Sequence, residues 1–169
     1  TKLYVGGKQA RPDGGYSNVV HSRNGDYIGE VSIGNRKDIR NAVEAAHANT
    51  DWPSRTGHSR AQVLYYIAEN LSIRKEEFAN RINEMINCGK ADADKEVEES
   101  IERIYYYAAL TDKYDGLVHH TVHRNVTLAM PESIGVMGIV CPDESPLLGF
   151  ISTVIPAITM GNSVVVIPS

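Results

Sequence analysis

The chain has 169 residues, of which 42% are hydrophobic and 22% charged, with a formal net charge of −4. This length supports one globular domain with a hydrophobic core, and the composition argues against a disordered, collagen-like or membrane-spanning chain. A net-negative chain gives no electrostatic footprint for nucleic acid or anionic membranes. We therefore expect neither of these partners.

The two cysteines, Cys88 and Cys141, are far apart and show no C-x-x-C spacing. This pattern favours two reduced thiols over a disulfide or a cysteine metal site, and it predicts a cytoplasmic protein. The sequence shows no signal peptide or lipidation motif. The chain starts at Thr1 rather than at a methionine and stops at Ser169 directly after a predicted strand, so we expect both ends to be cut from a longer protein.

Residues 1–34 predict a small antiparallel β flap. Short apolar runs at 3–5, 16–20 and 27–31 are separated by glycine-rich turns. The dipeptide Asn24-Gly25 lies between the last two runs, and this dipeptide is typical of a two-residue type I′ hairpin turn in which both residues take positive φ. We therefore expect a tight hairpin there.

Residues 35–116 predict a layer of four helices. Asn35 is expected to cap the first helix, and Ser59 opens a stretch with the form of a capping box for the second. Gly89 is expected to end the third helix, and the fourth is predicted over 93–114. The inner face of the fourth helix is predicted from its periodicity to comprise Val97, Ile101, Ile104, Tyr105 and Ala108.

Residues 117–131 predict an antiparallel hairpin of two long strands with Asn125 at the bend, because β-branched residues alternate there. His119, His120 and His123 invite a zinc site, since histidines at i and i+4 can chelate a metal on a helix. On a strand the same spacing separates the side chains by about 13 Å, which is too far for shared ligation. No metal site is therefore predicted.

Residues 132–169 predict a βαβ unit. Two apolar runs, 136–140 and 164–167, are expected to form buried parallel strands on either side of a helix that Ser145 caps. Ligands of such sheets bind where the strands end, so the loop 141–146 is the candidate site.

Asp143 and Glu144 are adjacent carboxylates in this loop, and carboxylates at the carboxyl end of a strand can act as general acids or bases. The alternative is that they only favour the positive end of the helix that follows. Gly135 and Gly138 do not form a dinucleotide fingerprint, because that fingerprint needs its glycines after the strand. The residues alone leave both interpretations of the carboxylates open.

Taken together, these residues resemble the aldehyde dehydrogenase superfamily, and the chain is similar to about the first third of that family's catalytic unit. In the final stretch, family members have Gly-Val-x-Gly, then Pro-Trp-Asn-Phe-Pro-Leu, then Pro-Ala-Leu-x-x-Gly-Asn-x-Val-Val-x-Lys-Pro. The positions that match in register are Gly135-Val136-Met137-Gly138, Pro142, Pro146-Leu147, Pro156-Ala157, Gly161-Asn162, Val164 to Val166 and Pro168. Earlier matches are Tyr4-Val5-Gly6-Gly7-Lys8, Trp52, Ser59-Arg60 and Cys88-Gly89-Lys90.

The resemblance implies part of a Rossmann-type, doubly wound α/β fold for NAD(P), with 117–131 as a hairpin that mediates oligomerisation. It also shows which chemistry is missing. Glu144 stands where the family has the asparagine that donates to the oxyanion formed when the catalytic cysteine attacks the aldehyde. Ile167 stands where a family lysine binds the cofactor ribose. Neither Cys88 nor Cys141 matches the nucleophile, so no intact catalytic residue is expected.

The cofactor site that the resemblance implies is vestigial and comprises two short segments at the ends of the two predicted strands. Its residues are Val140, Cys141, Pro142, Asp143, Ile167, Pro168 and Ser169. No cofactor is expected to bind this chain tightly, although the family uses NAD(P).

The first functional hypothesis is a degenerate, non-catalytic aldehyde-dehydrogenase-like module with a structural role, in a homo-oligomer or beside a catalytic module. Two-module members of family 16 carry a decayed copy after an active one, and this chain is similar to such a copy. A second hypothesis is the N-terminal part of a working NAD(P)-dependent enzyme that oxidises an aldehyde to a carboxylate. A third is a vestigial nucleotide-binding regulator.

Overall fold

The computed structural model describes residues 1–169 and contains eight strands and six helices. The strands are β1 (Leu3–Val5), β2 (Lys8–Ala10), β3 (Ser17–His21), β4 (Tyr27–Ser32), β5 (Leu117–His119), β6 (Thr127–Ala129), β7 (Val136–Val140) and β8 (Ser163–Ile167). The helices are α1 (Arg36–His47), α2 (Asp51–Ser54), α3 (Gly57–Ile73), α4 (Lys75–Ile86), α5 (Lys90–Leu110) and α6 (Pro146–Thr159). No helix combines the length and apolar character needed to cross a bilayer.

The strands form four separate pairs. β1 with β2, β3 with β4 and β5 with β6 are antiparallel, whereas β7 and β8 are parallel and are joined by α6. The parallel pair runs in register from Val136 opposite Ser163 to Val140 opposite Ile167. This confirms the predicted βαβ unit. Both α1 and α6 contact the pair.

The hydrophobic core lies between helices, with α5 at its centre in contact with α3, α4 and α6. Its twelve buried residues are Leu64, Ala68, Leu71, Ala79, Ile82, Ala93, Val97, Ile101, Ile104, Ala108, Ile151 and Ile155. Four of the five side chains predicted for the inner face of α5 belong to this set. Tyr105 does not: it is 37% exposed, and Tyr107 is the tyrosine that packs against the core.

The predicted strand burial is wrong for β7 and β8, because none of their residues is fully buried and Val140 at the end of β7 is 75% exposed. The pair consists of only two strands, so its edges have no neighbouring strand to cover them. The hairpin of 117–131 is also shorter than predicted. β5 and β6 have three residues each, and Asn125 lies in the connection between them.

The predictions for the β3–β4 turn and for the start of α3 are wrong. The β3–β4 connection is not a two-residue type I′ turn: Gly25 has φ 91° but Asn24 does not have positive φ, and the Ser22 hydroxyl accepts from the amides of Asn24 and Asp26 instead. The longer turn fits the register shift that the pair shows at its end. Ser59 is not a cap, because α3 begins one turn earlier.

The caps of the helical layer are supplied by other residues than those predicted, apart from Asn35. The Thr56 hydroxyl caps α3 by accepting from the Ser59 amide at 3.2 Å. Helix α4 ends at Ile86 and is followed by its cap residue Asn87, which takes the left-handed conformation at φ 50°, whereas Gly89 directly precedes α5. Asn35 caps α1 as predicted, in a reciprocal capping box with the buried Asp38.

Candidate functional site

The candidate site lies at the edge where β7 and β8 end. The Cys141 amide donates to the Ile167 carbonyl at 2.9 Å, one step beyond the last paired residues of the two strands. This contact brings the segments 140–143 and 167–169 together, although they are at least 24 positions apart in the chain. All seven residues of the predicted cofactor site therefore lie at the ends of these strands.

The loop that leaves β7 exposes its acidic side chains. Pro142, Asp143 and Glu144 are exposed, and Ile167 across the strand pair is 50% exposed. Cys141 is buried, and its sulfur lies 3.8 Å from the Thr153 hydroxyl of α6. The polar side chains that the β7 loop presents to a ligand are thus carboxylates, which accept hydrogen bonds and donate none when ionised.

The loop folds back on α6 through a close approach between Pro142 and Gly149. A Cβ placed on Gly149 would lie 2.6 Å from Cγ of Pro142, which is well inside van der Waals contact. Glycine is therefore required here for steric reasons. This contact fixes where the loop leaves the strand.

The N-terminus of α6 is not capped as predicted. Ser145 occupies the cap position, but its side chain accepts no hydrogen bond. The amides of Leu147 and Leu148 instead donate to Oε1 of Glu96 on α5, at 2.9 and 3.1 Å. Glu96 is not among the residues predicted from the sequence; the signal that could have indicated it is the lack of any acidic residue in the first turn of α6.

A cavity of about 250 Å³ lies beside this turn, between α5 and the loop. Its lining residues are Ile86, Cys88, Asp92, Lys95, Glu96, Glu99, Glu144, Ser145 and Leu148. The cavity therefore has four carboxylates and one ammonium group in its wall. The proximity of Cys88 and Glu144 is not predictable from the sequence, because the two come together only when α5 packs against α6.

The C-terminal end of α6 is tied to the helices that precede it in the chain. The Trp52 indole Nε1 donates to the Ile158 carbonyl at 2.9 Å, and Arg60 Nε donates to the Thr159 carbonyl at 3.1 Å. Burial lowers the pKa of the Arg60 guanidinium, but an arginine keeps its charge at any physiological pH.

The chain then turns into β8 through Gly161 and Asn162. Gly161 has φ 84°, a conformation that favours glycine. The buried Asn162 side chain accepts from the amides of Ile134 and Gly135 at 2.7 and 3.1 Å and donates to the Ala157 carbonyl at 3.0 Å. This residue pair therefore has a structural role: it ties the segment before β7 to the turn before β8.

The histidines give no metal centre. Only His119 lies on a strand, whereas His120 and His123 lie in the connection between β5 and β6, so the strand geometry assumed for all three is wrong. No group of three or more histidine, cysteine, aspartate or glutamate side chains is placed to hold a metal ion.

A parallel βαβ unit whose loops meet at the carboxyl edge defines a Rossmann-type α/β fold, and solved structures bear this out. A Staphylococcus aureus betaine aldehyde dehydrogenase variant, crystallised with NAD+, matches at a TM-score of 0.95 over 99% of this chain with 22% identity. An NAD-dependent aldehyde dehydrogenase from Sinorhizobium meliloti matches at 0.93 over 99% of the chain with 26% identity. The chain corresponds to 35% of each of these proteins.

The sequence model of the aldehyde dehydrogenase family matches residues 10–169, and the chain belongs to that family. It is 32% identical over 160 residues to a benzaldehyde dehydrogenase [NAD(+)] of Pseudomonas putida, covering 92% of this chain and 32% of that enzyme. It is 30% identical over 179 residues to a cytosolic 10-formyltetrahydrofolate dehydrogenase of Xenopus laevis, covering 99% of this chain and 20% of that protein. The chain spans about a third or less of the relatives it matches.

Proposed function

We infer that this chain is a degenerate aldehyde-dehydrogenase module that has no catalytic activity of its own and has a structural role beside a catalytic domain. The observation that carries this proposal is the chemistry at the edge of β7 and β8, where exposed Asp143 and Glu144 face solvent and Ile167 offers no polar atom. The helical core, by contrast, is fully packed.

Glu144 cannot take over the task of the family's asparagine. An oxyanion is stabilised by donors that are already aimed at it, and one such donor is worth about 3 kcal/mol of the activation barrier. An ionised carboxylate has no proton to donate and repels a second anion. Asp143 adds another negative charge one residue away. The loop therefore disfavours the charge that forms when an aldehyde is attacked.

The residues at this edge do not fit a dinucleotide either. Ile167 presents only a hydrocarbon side chain where the family binds the cofactor ribose, so the ribose hydroxyls would lose water without gaining a partner. The exposed carboxylates of Asp143 and Glu144 would lie near phosphate groups of the same charge.

Calorimetric titration of NAD+ and NADP+ tests this proposal. We expect no binding heat and no thermal shift for the natural chain. The Ile167→Lys variant shows whether one side chain restores cofactor binding. Val166→Lys, at the neighbouring strand position, is its control. Micromolar binding by the natural chain would contradict the proposal and would favour a working dehydrogenase.

Because the relatives include dehydrogenases, the second candidate function is that of the N-terminal part of a working enzyme. A substitution of Glu144 distinguishes this function from the non-catalytic one. In the full-length protein, Glu144→Ala should leave the rate of aldehyde oxidation unchanged if another domain carries out the reaction. Glu99→Ala, in the wall of the same cavity, is the matched control. A selective loss of activity in Glu144→Ala would place the chain in a catalytic unit.

The structural role that we propose includes self-association through β5 and β6. Leu117, Val118 and Leu128 on these strands are 58% or more exposed, and an isolated two-stranded hairpin is marginal in water. We expect light scattering to show an oligomer that Leu128→Asp disrupts. Ile73→Asp, at a still more exposed apolar position on α3, should leave the oligomer intact; a clean monomer for the natural chain would contradict this role.

We propose that this chain is the decayed second module of a longer, two-module protein of the family 16 type. Two free cysteines, one half-buried and one buried, fit a reducing compartment and support a cytoplasmic location. Mass spectrometry of the endogenous protein would test both points, since it reports the full chain length and the oxidation state of Cys88.

A further inference from the structure

Helix α6 has no anionic or polar cap from its own segment. Its fourteen residues include no charged side chain, Pro146 is its first residue, and the Ser145 side chain before it accepts no hydrogen bond. The first backbone amides of an α-helix have no partner within the helix and carry a positive partial charge. The amides of Leu147 and Leu148 thus depend on groups from elsewhere.

Glu96 supplies this missing group from another helix, 51 and 52 residues earlier in the chain. Its position on α5 is well anchored, because Val97 and Ser100 next to it are completely buried. One oxygen, Oε1, accepts from both Leu147 and Leu148. A carboxylate at this place matches both the free donors and the positive end of the helix.

The other end of α6 shows the same arrangement with the opposite charge. Arg60 and Trp52, which lie in α3 and α2, donate to the carbonyls of Thr159 and Ile158. Both ends of α6 are therefore capped by side chains of the helical layer, each with the polarity that the helix end favours. These contacts tie both ends of α6 to the helices on which it packs.

We propose that Glu96 is an internal anion that fills the N-terminus of α6 and closes it to external anions. Helix N-termini in βαβ units are ready-made sites for phosphate and carboxylate groups, because their amides point at the ligand. Here the two available amides are already paired to a carboxylate of the same chain. The proposal goes beyond the non-catalytic role inferred above and holds whether or not the loop is catalytic.

Removing the carboxylate should open this site, and formate is a suitable probe because it carries the same group. In Glu96→Ala we expect a lower unfolding temperature that sodium formate raises again in a saturable manner, compared with sodium chloride at equal ionic strength. Formate should give no such shift in the natural chain or in Glu99→Ala. Glu99 lies one turn away, pairs with Lys95 at 3.8 Å and accepts no hydrogen bond from α6, so it is a matched control.

Amide hydrogen exchange in the 169-residue chain gives a second, local measurement. The amides of Leu147 and Leu148 should exchange about tenfold to a hundredfold faster in Glu96→Ala, since hydrogen bonds to a charged acceptor are lost. Added formate should slow them again. If formate shifts the natural chain as much as the variant, or if these amides exchange at the natural rate in Glu96→Ala, the proposal is wrong.

Glu96→Gln covers the case in which the alanine variant does not fold. Glutamine keeps an oxygen acceptor of the same shape but removes the charge, so we expect a folded chain with exchange of Leu147 and Leu148 that is faster than natural. Exchange at the natural rate in Glu96→Gln, with an unchanged unfolding temperature, would show that the charge has no role and would overturn the proposal.

Discussion

Helices α3 to α6 and the eight strands differ in where their apolar side chains lie. All twelve residues of the core cluster belong to the four helices, whereas no residue of any strand is fully buried. Leu64 on α3 is completely buried, and Leu128 on β6 is 58% exposed. The helices therefore stabilise one another within the chain, while the apolar faces of the strands have no such cover. The proposed structural role accounts for this difference, because self-association would cover exposed apolar side chains of the strands.

The largest expected effect compares the same substitution in the two regions. Leu64→Ala should lower the free energy of unfolding by about 3 kcal/mol, because it leaves a cavity in the packed core. Leu128→Ala should change it by no more than about 0.5 kcal/mol in dilute solution, where the hairpin is exposed. Urea denaturation of both variants measures this. If both variants lost the same free energy of unfolding at low protein concentration, the hairpin would be buried and the two regions would not differ.

The next effect concerns the tie between the parallel strands and α6. Asn162→Ala leaves the amides of Ile134 and Gly135 without partners in a partly buried site, while the Ala157 carbonyl keeps the backbone amide of residue 162, so the change should cost about 2 kcal/mol. The control is Asn49→Ala, since the Asn49 amide group bonds the Ser163 hydroxyl at the surface. Thermal denaturation should show a clear drop only for Asn162→Ala. A drop of similar size for Asn49→Ala would contradict this.

A smaller effect is expected where α2 meets the C-terminus of α6. Trp52→Phe keeps an aromatic ring but removes the donor to the Ile158 carbonyl, so it should cost about 1 kcal/mol. Tyr106→Phe on the exposed side of α5 is the matched control, and it should change stability by less than the uncertainty of the denaturation curve. Equal effects of the two substitutions would show that the hydrogen bond from Trp52 does not stabilise the contact between α2 and α6.

The smallest effect lies in the N-terminal flap, where Asp13 joins the start of α1. Hydrogen bonds from Lys37 and Asn35 lower the pKa of Asp13 below its ordinary value of 3.8. A lowered pKa contributes stability that is present above the unfolded value and is lost as the pH falls through the folded one. In Lys37→Met the pKa of Asp13 should rise towards 3.8, as NMR titration of its carboxyl carbon would show.

Carboxyl titration also provides the control for this prediction. Arg40→Met removes a charge that lies near Asp13 without a hydrogen bond to it, so the pKa of Asp13 should change less than in Lys37→Met. A larger change in Arg40→Met would contradict the order of causes. Because the pair is exposed, we expect only a slight change in overall acid stability.

Periodicity predicted the helical layer well because the same helices provide both faces of the core. Val97, Ile101 and Ile104 recur at helical spacing and are buried, as expected. Tyr105 follows Ile104 directly and points about 100° away from it, so the amphipathic pattern could not decide its burial. Its ring lies 6.0 Å from that of Tyr65, at the outer side of the α3–α5 contact.

The candidate site was predictable only where it is local in sequence. The ends of β7 and β8 meet as expected, because parallel strands joined by a helix must end at the same edge. Glu96, Trp52 and Arg60 act on α6 from 51 to 106 residues away, and no spacing rule connects such positions. Their roles appear only once the helices are packed.

Asn162 has a consequence for how the chain is made. It binds the amides of Ile134 and Gly135, which are synthesised 28 and 27 residues earlier. On the ribosome, β7 therefore emerges before β8 and before the side chain that holds its entry point. During that interval the edge of β7 has no partner, and unpaired edges are where nascent chains associate with one another.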